Sequence, residues 1–326
     1  MPLSTSIVLC TYNGASFLGV QWASLLAQST PPDEIVVRDD ASSDATLLLL
    51  EDLTCAARAR GVRVRLARNP RNVGYVANFE AALRAASGDV LFLCDQDDLW
   101  HTDKLATMVA EFQHRPMMRL LCSDARRVDE SGASLRRSLF EVLKVSRDEV
   151  RRIHAGRGFE VLLRRSLATG ATLALRRTLL SDALPFPEGW VHDEWLAIVA
   201  AALGAFDCVE ARLIDYRQHG SNQIGMPERD LAAKWQDLSR PRSGMIDDLV
   251  ARDEVLLQRL RALGPVVPAG CIEQTLERLR HLRLRAMIAG PPWARFGRVL
   301  REAATGRYRR HGTGWRSALR DLVRHD

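Results

Sequence analysis

Apolar and polar positions alternate in two rhythms along the first half of the chain. Short β-branched runs at Ser6 to Thr11, Glu34 to Asp39, Val62 to Ala67 and Asp89 to Cys94 are separated by longer segments with helical spacing. Helices are expected over Phe17 to Ala27, Ala45 to Arg60 and Val76 to Ala86. A repeat of about 25 to 30 residues is one strand plus one crossover helix, which predicts an α/β fold with a mostly parallel sheet and helices on both faces. After this half the rhythm loosens. An Arg-rich helical stretch is expected from about Leu135 to Arg165 and a further strand over Ala171 to Leu175. From Pro227 onward the spacing is helical only, as in Ile272, Leu276, Leu279, Leu282 and Ala286, so a boundary is expected near Met226 and Pro227. Residues 1–226 then form one domain with halves of about 1–125 and 126–226, and 227–326 a helical region.

In open α/β sheets ligands gather beyond the carboxyl ends of the strands, where loops converge and helix N-termini offer free N–H groups. The polar residues cluster there: Thr11, Tyr12 and Asn13 after the first strand, Asp39 and Asp40 after the second, and Asp95, Gln96, Asp97 and Asp98 after the fourth. Three carboxylates within four positions repel one another and raise one another's pKa, so a fold that keeps them needs compensation. Capping a helix near Thr102 uses one aspartate, not three. A hard divalent ion, Mg²⁺ or Mn²⁺, bound by carboxylates and substrate phosphates supplies that compensation.

Composition changes the picture in two places. The net charge of +6 is concentrated at the end of the chain: thirteen Arg against four acidic residues give residues 276–326 a charge of +9, which leaves residues 1–275 at −3. A nucleic-acid-binding protein is therefore disfavoured, since the part that carries the strand-end polar clusters is itself negative. The six cysteines stand singly, with Cys10, Cys94 and Cys122 in apolar runs, which reads as buried reduced thiols in the cytoplasm. No basic stretch followed by an apolar core opens the chain, and the most apolar stretch, Trp195 to Phe206, falls short of the roughly 20 residues that span a bilayer.

The segments SIVLCTYNG (6–14), VVRDDASSD (36–44), RNVGYVANFEAAL (71–83), LCDQDDLW (93–100), TGATLALRR (169–177), VHDEW (191–195) and YRQHGSNQIG (216–225) occur in order. Together they resemble family 2 glycosyltransferases of the GT-A fold, most closely the rhamnosyltransferase-like members of bacterial polysaccharide assembly, over about residues 4–225. The resemblance implies an inverting transfer of a sugar from a dTDP- or UDP-sugar to a glycan or polyprenyl-diphosphate-linked glycan, by single displacement. It places Cys10, Thr11 and Tyr12 around the nucleotide base and Asp39 and Asp40 against a pyrimidine. Asp95, Asp97 and Asp98 match the family's acidic metal and ribose element, with Gln96 on the donor side and His219 completing the metal site. Asp193 matches the general base, with Glu194 beside it. Gly170 fits a bend where backbone approaches donor or acceptor, and Arg71 and Asn72 stand at the edge of the donor site. Trp100, Trp190 and Trp195 are expected either as an apolar wall for a sugar ring or as core.

In the tail, Trp293, Phe296 and Leu300, then Trp315, Leu319 and Leu322, recur at helical spacing among arginines. That suits either a helix lying on an anionic membrane at the inner face of the cell or a basic bundle packed on the rest of the protein. A nucleotidyltransferase that makes nucleotide sugars shares this kind of sheet, but TYNGASF stands where its Gly-rich phosphate loop belongs, and the same loop lacks the GxGxxG of a dehydrogenase.

Overall fold

The computed structural model describes residues 2–220, 243–288 and 290–323. The expected boundary at Met226 and Pro227 lies outside the described residues. The chain forms two compact units, one from Met1–Gly158, Leu167–Phe186 and Trp190–Gly225, the other from Phe159–Ser166, Pro187–Gly189 and Met226–Asp326.

The first unit is built on one eight-stranded sheet: β1 (Thr5–Thr11), β2 (Glu34–Asp39), β3 (Arg63–Arg68), β4 (Val90–Cys94), β5 (Leu99–Trp100), β6 (Leu120–Val128), β7 (Leu173–Arg176) and β8 (Phe206–Arg217). Their order is β3-β2-β1-β4-β7-β6-β8-β5. The expected parallel half is present, with β1 paired to β2 and β4, and β2 to β3. Burial on both faces explains its sequence: every residue of β1 and β4 is buried, so these strands read as continuous apolar runs. β3 forms the edge, and its exposed Arg63, Arg65 and Arg68 discourage further pairing. The crossovers are α1 (Ala15–Leu26), α2 (Thr46–Ala59) and α3 (Tyr75–Ala85), each within two residues of its expected bounds. Cys10, Cys94 and Cys122 are buried free thiols in β1, β4 and β6.

The second half departs from the simple rhythm. β7 runs antiparallel to β4 and β6, and a 3-10 turn over Gly170–Thr172 occupies the first two positions of the expected Ala171 to Leu175 strand. The expected long helix over Leu135 to Arg165 is broken into Leu139–Val142, Arg147–Arg152 and Gly158–Arg164. Ser138 and Ser146 each start a fresh helix with a capping box, and Gly156 at φ 74° interrupts the last join.

Only Asp95 to Asp98 separate β4 from β5, yet three strands lie between these two in the sheet. So short a link, about 3.3–3.6 Å per residue, requires the far end of β8 to lie over the carboxyl end of β4. Register shifts between Ser123 and Asp124 and between Asp124 and Arg126, opposite the exposed Glu210, Ala211 and Arg212, supply the bend. Beyond it β8 pairs antiparallel with β5.

In the second unit Ser243–Leu263 packs on Ala269–Ala286, followed by Pro292–Ala304, Arg307–His311 and Trp315–Val323. The buried positions of Ala269–Ala286 are Cys271, Thr275, Leu279, His281, Leu282 and Arg285, whereas Ile272 and Leu276 are half-buried. The last three helices close on Ile288, Val299 and Tyr308, with Ala318 and Leu322 against them. Leu322 thus faces inward, and Val323 takes its place on the exposed side. Among the described residues no helix is long and apolar enough to cross a membrane.

Candidate active site

The carboxyl ends of β1, β2 and β4 bring the predicted polar clusters together. Asp39 accepts from Thr11 Oγ1 at 3.0 Å and from Ser42 N at 2.9 Å, so it ties β1 to the loop before α2. Asp40 accepts from Asn69 Nδ2 at 2.7 Å, Val73 N at 2.9 Å and Gly74 N at 2.9 Å. Both carboxylates are buried, and much of their accepting capacity is spent on holding neighbouring loops. Arg71 and Asn72 lie exposed on the loop that Asp40 holds, and Asn72 Oδ1 accepts from Gly74 N at 3.1 Å.

Cys10 is buried and burial pushes its thiol up, while the ring of Tyr12 is more than a third exposed. Gln96 clamps the backbone of Tyr12 from both sides, accepting from its N–H at 2.8 Å and donating to its carbonyl at 2.9 Å. The clamp depends on Gly14, because a Cβ there would sit 2.1 Å from Gln96 Oε1.

The bend in β8 delivers a second set of groups to the acidic segment. His219 Nε2 lies 2.8 Å from Asp97 Oδ2, and Phe17 of α1 stacks on the imidazole at 4.5 Å between centroids. Arg217 N donates to Asp98 Oδ1 at 3.1 Å, and its Nε donates to the Asp97 carbonyl at 2.9 Å. Asp98 Oδ2 is buried with no hydrogen-bond partner among the described residues. Burial, then the charges of Asp97 and Asp95, raises the Asp98 pKa, opposed by the Arg217 N–H. Asp95 is raised by burial and by the charges of Asp97 and Asp193, opposed by Lys104. A buried carboxylate oxygen without a donor, beside an aspartate–histidine pair, fits a divalent cation with oxygen and nitrogen ligands.

Asp193 lies in the first turn of the helix His192–Ala202, two positions inside the Val191 cap, rather than at its N-cap. Its Oδ2 accepts from Gly170 N at 2.8 Å and its Oδ1 from Glu194 N at 2.7 Å. Burial still pushes its pKa up to about 6, against those two N–H groups. The phenol of Tyr216 is raised by burial and then by Asp98, Asp95, Asp97 and Asp193 together, so all four carboxylates act on one place. These charges, with the Asp97–His219 and Gly170–Asp193 hydrogen bonds, link Asp95, Asp97, Asp98, Asp193, Gly170 and His219.

The sequence profile of glycosyl transferase family 2 matches residues 6–182. The chain belongs to that family. An uncharacterized protein of Mycobacterium tuberculosis is 30% identical over 220 residues, which cover 66% of this chain and 58% of that protein. An uncharacterized glycosyltransferase of Nostoc sp. is 27% identical over 227 residues, covering 68% of this chain and 66% of the relative. Among solved structures, Staphylococcus aureus TarS 1-349 in complex with UDP superposes with a TM-score of 0.58 at 17% identity, over 98% of this chain and 88% of that one. Mannosyltransferase PcManGT from Pyrobaculum calidifontis, in complex with GDP-Man and Mn²⁺, gives 0.53 at 18% identity, over 99% and 87%. These likenesses establish the GT-A-like fold.

Several groups of this family 2 chain escaped the motif reading. Lys104 is fully buried, donates to the Ala171 carbonyl at 2.8 Å and has its ammonium 3.7 Å from the Trp100 ring centroid. Burial lowers its pKa to about 7, against Cys94, Asp98 and Asp95, which favour the charge. Its signal was its place on the apolar side of the helix Lys104–His114, with Leu105, Met108 and Phe112. His192 is buried between Phe79, stacked at 4.3 Å, and Tyr75, edge-on at 5.8 Å, with neither ring nitrogen hydrogen-bonded among the described residues. Burial lowers it to about 3.

Of the two readings of the tryptophans, core packing holds for Trp100 and Trp195. Trp195 donates to the Ala183 carbonyl at 2.7 Å, and only Trp190 is half-buried. A separate trio, His154, Asp207 and Cys208, has ligand atoms within 4.8 Å of one another at the opposite end of β8. Arg115 NH1 stands 2.6 Å from Asp207 Oδ2 and already neutralises that carboxylate.

Proposed function

We propose that this chain is an inverting glycosyltransferase that moves a sugar from a nucleoside diphosphate donor to a hydroxyl of a glycan or lipid-diphosphate-linked glycan. The observation that carries the reading is the pairing of Asp97 with His219 beside an Asp98 oxygen that has no hydrogen-bond partner among the described residues, with Asp193 acting on the same Tyr216 phenol. In this reading Asp97, Asp98 and His219, with Asp95 nearby, hold Mg²⁺ or Mn²⁺. A divalent ion bound there supplies charge neutralisation to the departing diphosphate. UDP in the TarS complex, and GDP-Man with Mn²⁺ in the PcManGT complex, support a donor of this class.

Asp193 acts as the base, with Glu194 its immediate neighbour. Two backbone donors fix its carboxylate, and its raised pKa brings it closer to the operating pH, where a base accepts a proton most effectively. The acceptor oxygen attacks the anomeric carbon as its proton passes to Asp193 and the bond to the diphosphate oxygen breaks. Tyr12 packs on the nucleobase with its backbone held by Gln96, next to Cys10 and Thr11. Asp40 meets the base through the capacity its Oδ2 retains, with Asp39 bracing β1, and Arg71 and Asn72 line the outer edge. The catalytic domain is residues 1–226 and the basic region 227–326. The enzyme works at the cytoplasmic face of the membrane in cell-surface polysaccharide assembly, with dTDP-rhamnose or a UDP-sugar as donor.

The test is a panel of dTDP- and UDP-sugars with Mn²⁺ or Mg²⁺, read by nucleoside diphosphate release. Metal-dependent release of the nucleoside diphosphate is expected. Pyrophosphate release instead would transfer the protein to the nucleotidyltransferases.

A further inference from the structure

The last three helices combine buried ion pairs, shared with Ala269–Ala286 beside their small apolar core, with large apolar side chains on the outside. Their interior contains ion pairs: Arg285 to Asp321 at 2.7 Å and 3.0 Å, Tyr308 Oη to Asp321 at 2.8 Å, and His281 to Glu302 at 2.7 Å. Their surface carries six large apolar side chains, of which Trp293 is 80% and Trp315 70% exposed, while Phe296, Leu300, Leu319 and Val323 are each about half exposed. These fall at spacings of three and four residues, so Pro292–Ala304 and Trp315–Val323 each present one apolar stripe turned away from the buried face. A water-facing helix places such residues inward, and a cluster of this size rarely stays in contact with water.

Charge decides what covers the stripes. Between residues 290 and 323 the two acidic residues, Glu302 and Asp321, are both buried, whereas Arg298, Arg301, Arg309, Arg310 and Arg316 are exposed. The solvent side therefore offers indole, phenyl and leucine side chains flanked by guanidinium groups, with no exposed carboxylate among these residues. A nucleic acid satisfies the arginines and leaves the apolar stripes in water. A bilayer surface satisfies both, because the stripes enter the acyl boundary while the arginines meet anionic headgroups.

We propose that Pro292–Ala304 and Trp315–Val323 form a docking surface for a bilayer rich in anionic lipid. The proposal rests on the transferase reading above only for its membrane setting, and it names the face that makes the contact. The full-length protein is floated with phosphatidylglycerol-containing vesicles and with phosphatidylcholine vesicles. A variant carrying W293S, F296S, L300S, W315S and L319S is compared, with circular dichroism and thermal melting as checks on folding. A second variant carries R298Q, R301Q and R316Q.

The wild type is expected to float with the anionic vesicles and far less with the neutral ones. The apolar variant should lose at least on the order of a hundredfold in partitioning. The arginine variant should lose the preference for anionic lipid. Both should release nucleoside diphosphate from donor at the wild-type rate without vesicles. The proposal is overturned if the wild type does not float, if the apolar variant floats equally well, or if the apolar variant only converts a wild-type dimer to monomer, which would make a second copy the occupant. Flotation without any nucleoside diphosphate release would sink the transferase reading and leave the docking surface standing.

Discussion

His219 and Asp97 meet at 2.8 Å between Nε2 and Oδ2 although 122 residues separate them in the chain. The contact exists because β8 bends over the end of β4, and in the proposed reading its nitrogen and oxygen are the metal ligands. His219→Ala and Asp97→Asn should each weaken Mn²⁺-dependent donor binding on the order of 10- to 100-fold or more. Calorimetric titration of the nucleotide sugar with and without metal checks this: equal affinities for wild type and variants refute the assignment.

The raised Asp193 pKa gives activity and stability opposite pH slopes. A base must be ionised, so turnover should rise as pH increases through about 6. Below the unfolded carboxylate value, about 4, the stability that Asp193 contributes is fully present, and it is lost as pH rises through about 6, a change of at most about 3 kcal/mol. Asp193→Asn should abolish turnover, keep donor binding and flatten that part of the stability profile. Urea melts from pH 4 to 7 beside a pH–rate profile decide the matter.

Gly14→Ala tests the clamp on Tyr12. The new methyl group must displace Gln96, whose Oε1 is 2.1 Å from the Cβ position, and both hydrogen bonds to Tyr12 are then lost. Donor KM should rise severalfold with little change in Tm, and Gln96→Ala should reproduce the effect. A normal KM in both variants would separate the clamp from donor binding.

The ion pairs inside the C-terminal helices are expected to be costly to break. Asp321→Asn removes the carboxylate charge that pairs with the buried Arg285 and should destabilise the second unit by about 3–5 kcal/mol. Urea unfolding followed by far-ultraviolet circular dichroism measures it, and a loss below about 1 kcal/mol would show that water reaches the pair.

The parallel half of the sheet was legible because strands buried on both faces keep an uninterrupted apolar centre: Ile7 to Cys10 in β1, Ile35 to Val37 in β2 and Val90 to Cys94 in β4. β6 showed only as the apolar run around Cys122, and β8 was not legible. They carry Asp124, Arg127, Asp207, Asp215 and Arg217 at buried positions, where ion pairs and hydrogen bonds replace the apolar signature. The site residues could be named from motifs, since they are short-range patterns at strand ends. Lys104 and His192 could not, because their significance lies in what surrounds them: the Trp100 ring and the Ala171 carbonyl for one, Phe79 and Tyr75 for the other. Likewise the sequence shows Asp40 as a strand-end acid but not the loop it holds through Asn69, Val73 and Gly74, while its Oδ2 keeps accepting capacity.

The curved course of β8 also sets where the chain tolerates changes of length. Side chains alternate faces along a strand, so deleting one residue among Glu210, Ala211 and Arg212 would turn Asp215 and Arg217 to the wrong side and draw His219 back from Asp97. Natural variants of this chain should therefore gain and lose residues in surface turns such as the one around Gly132, and keep the count from Phe206 to His219 fixed.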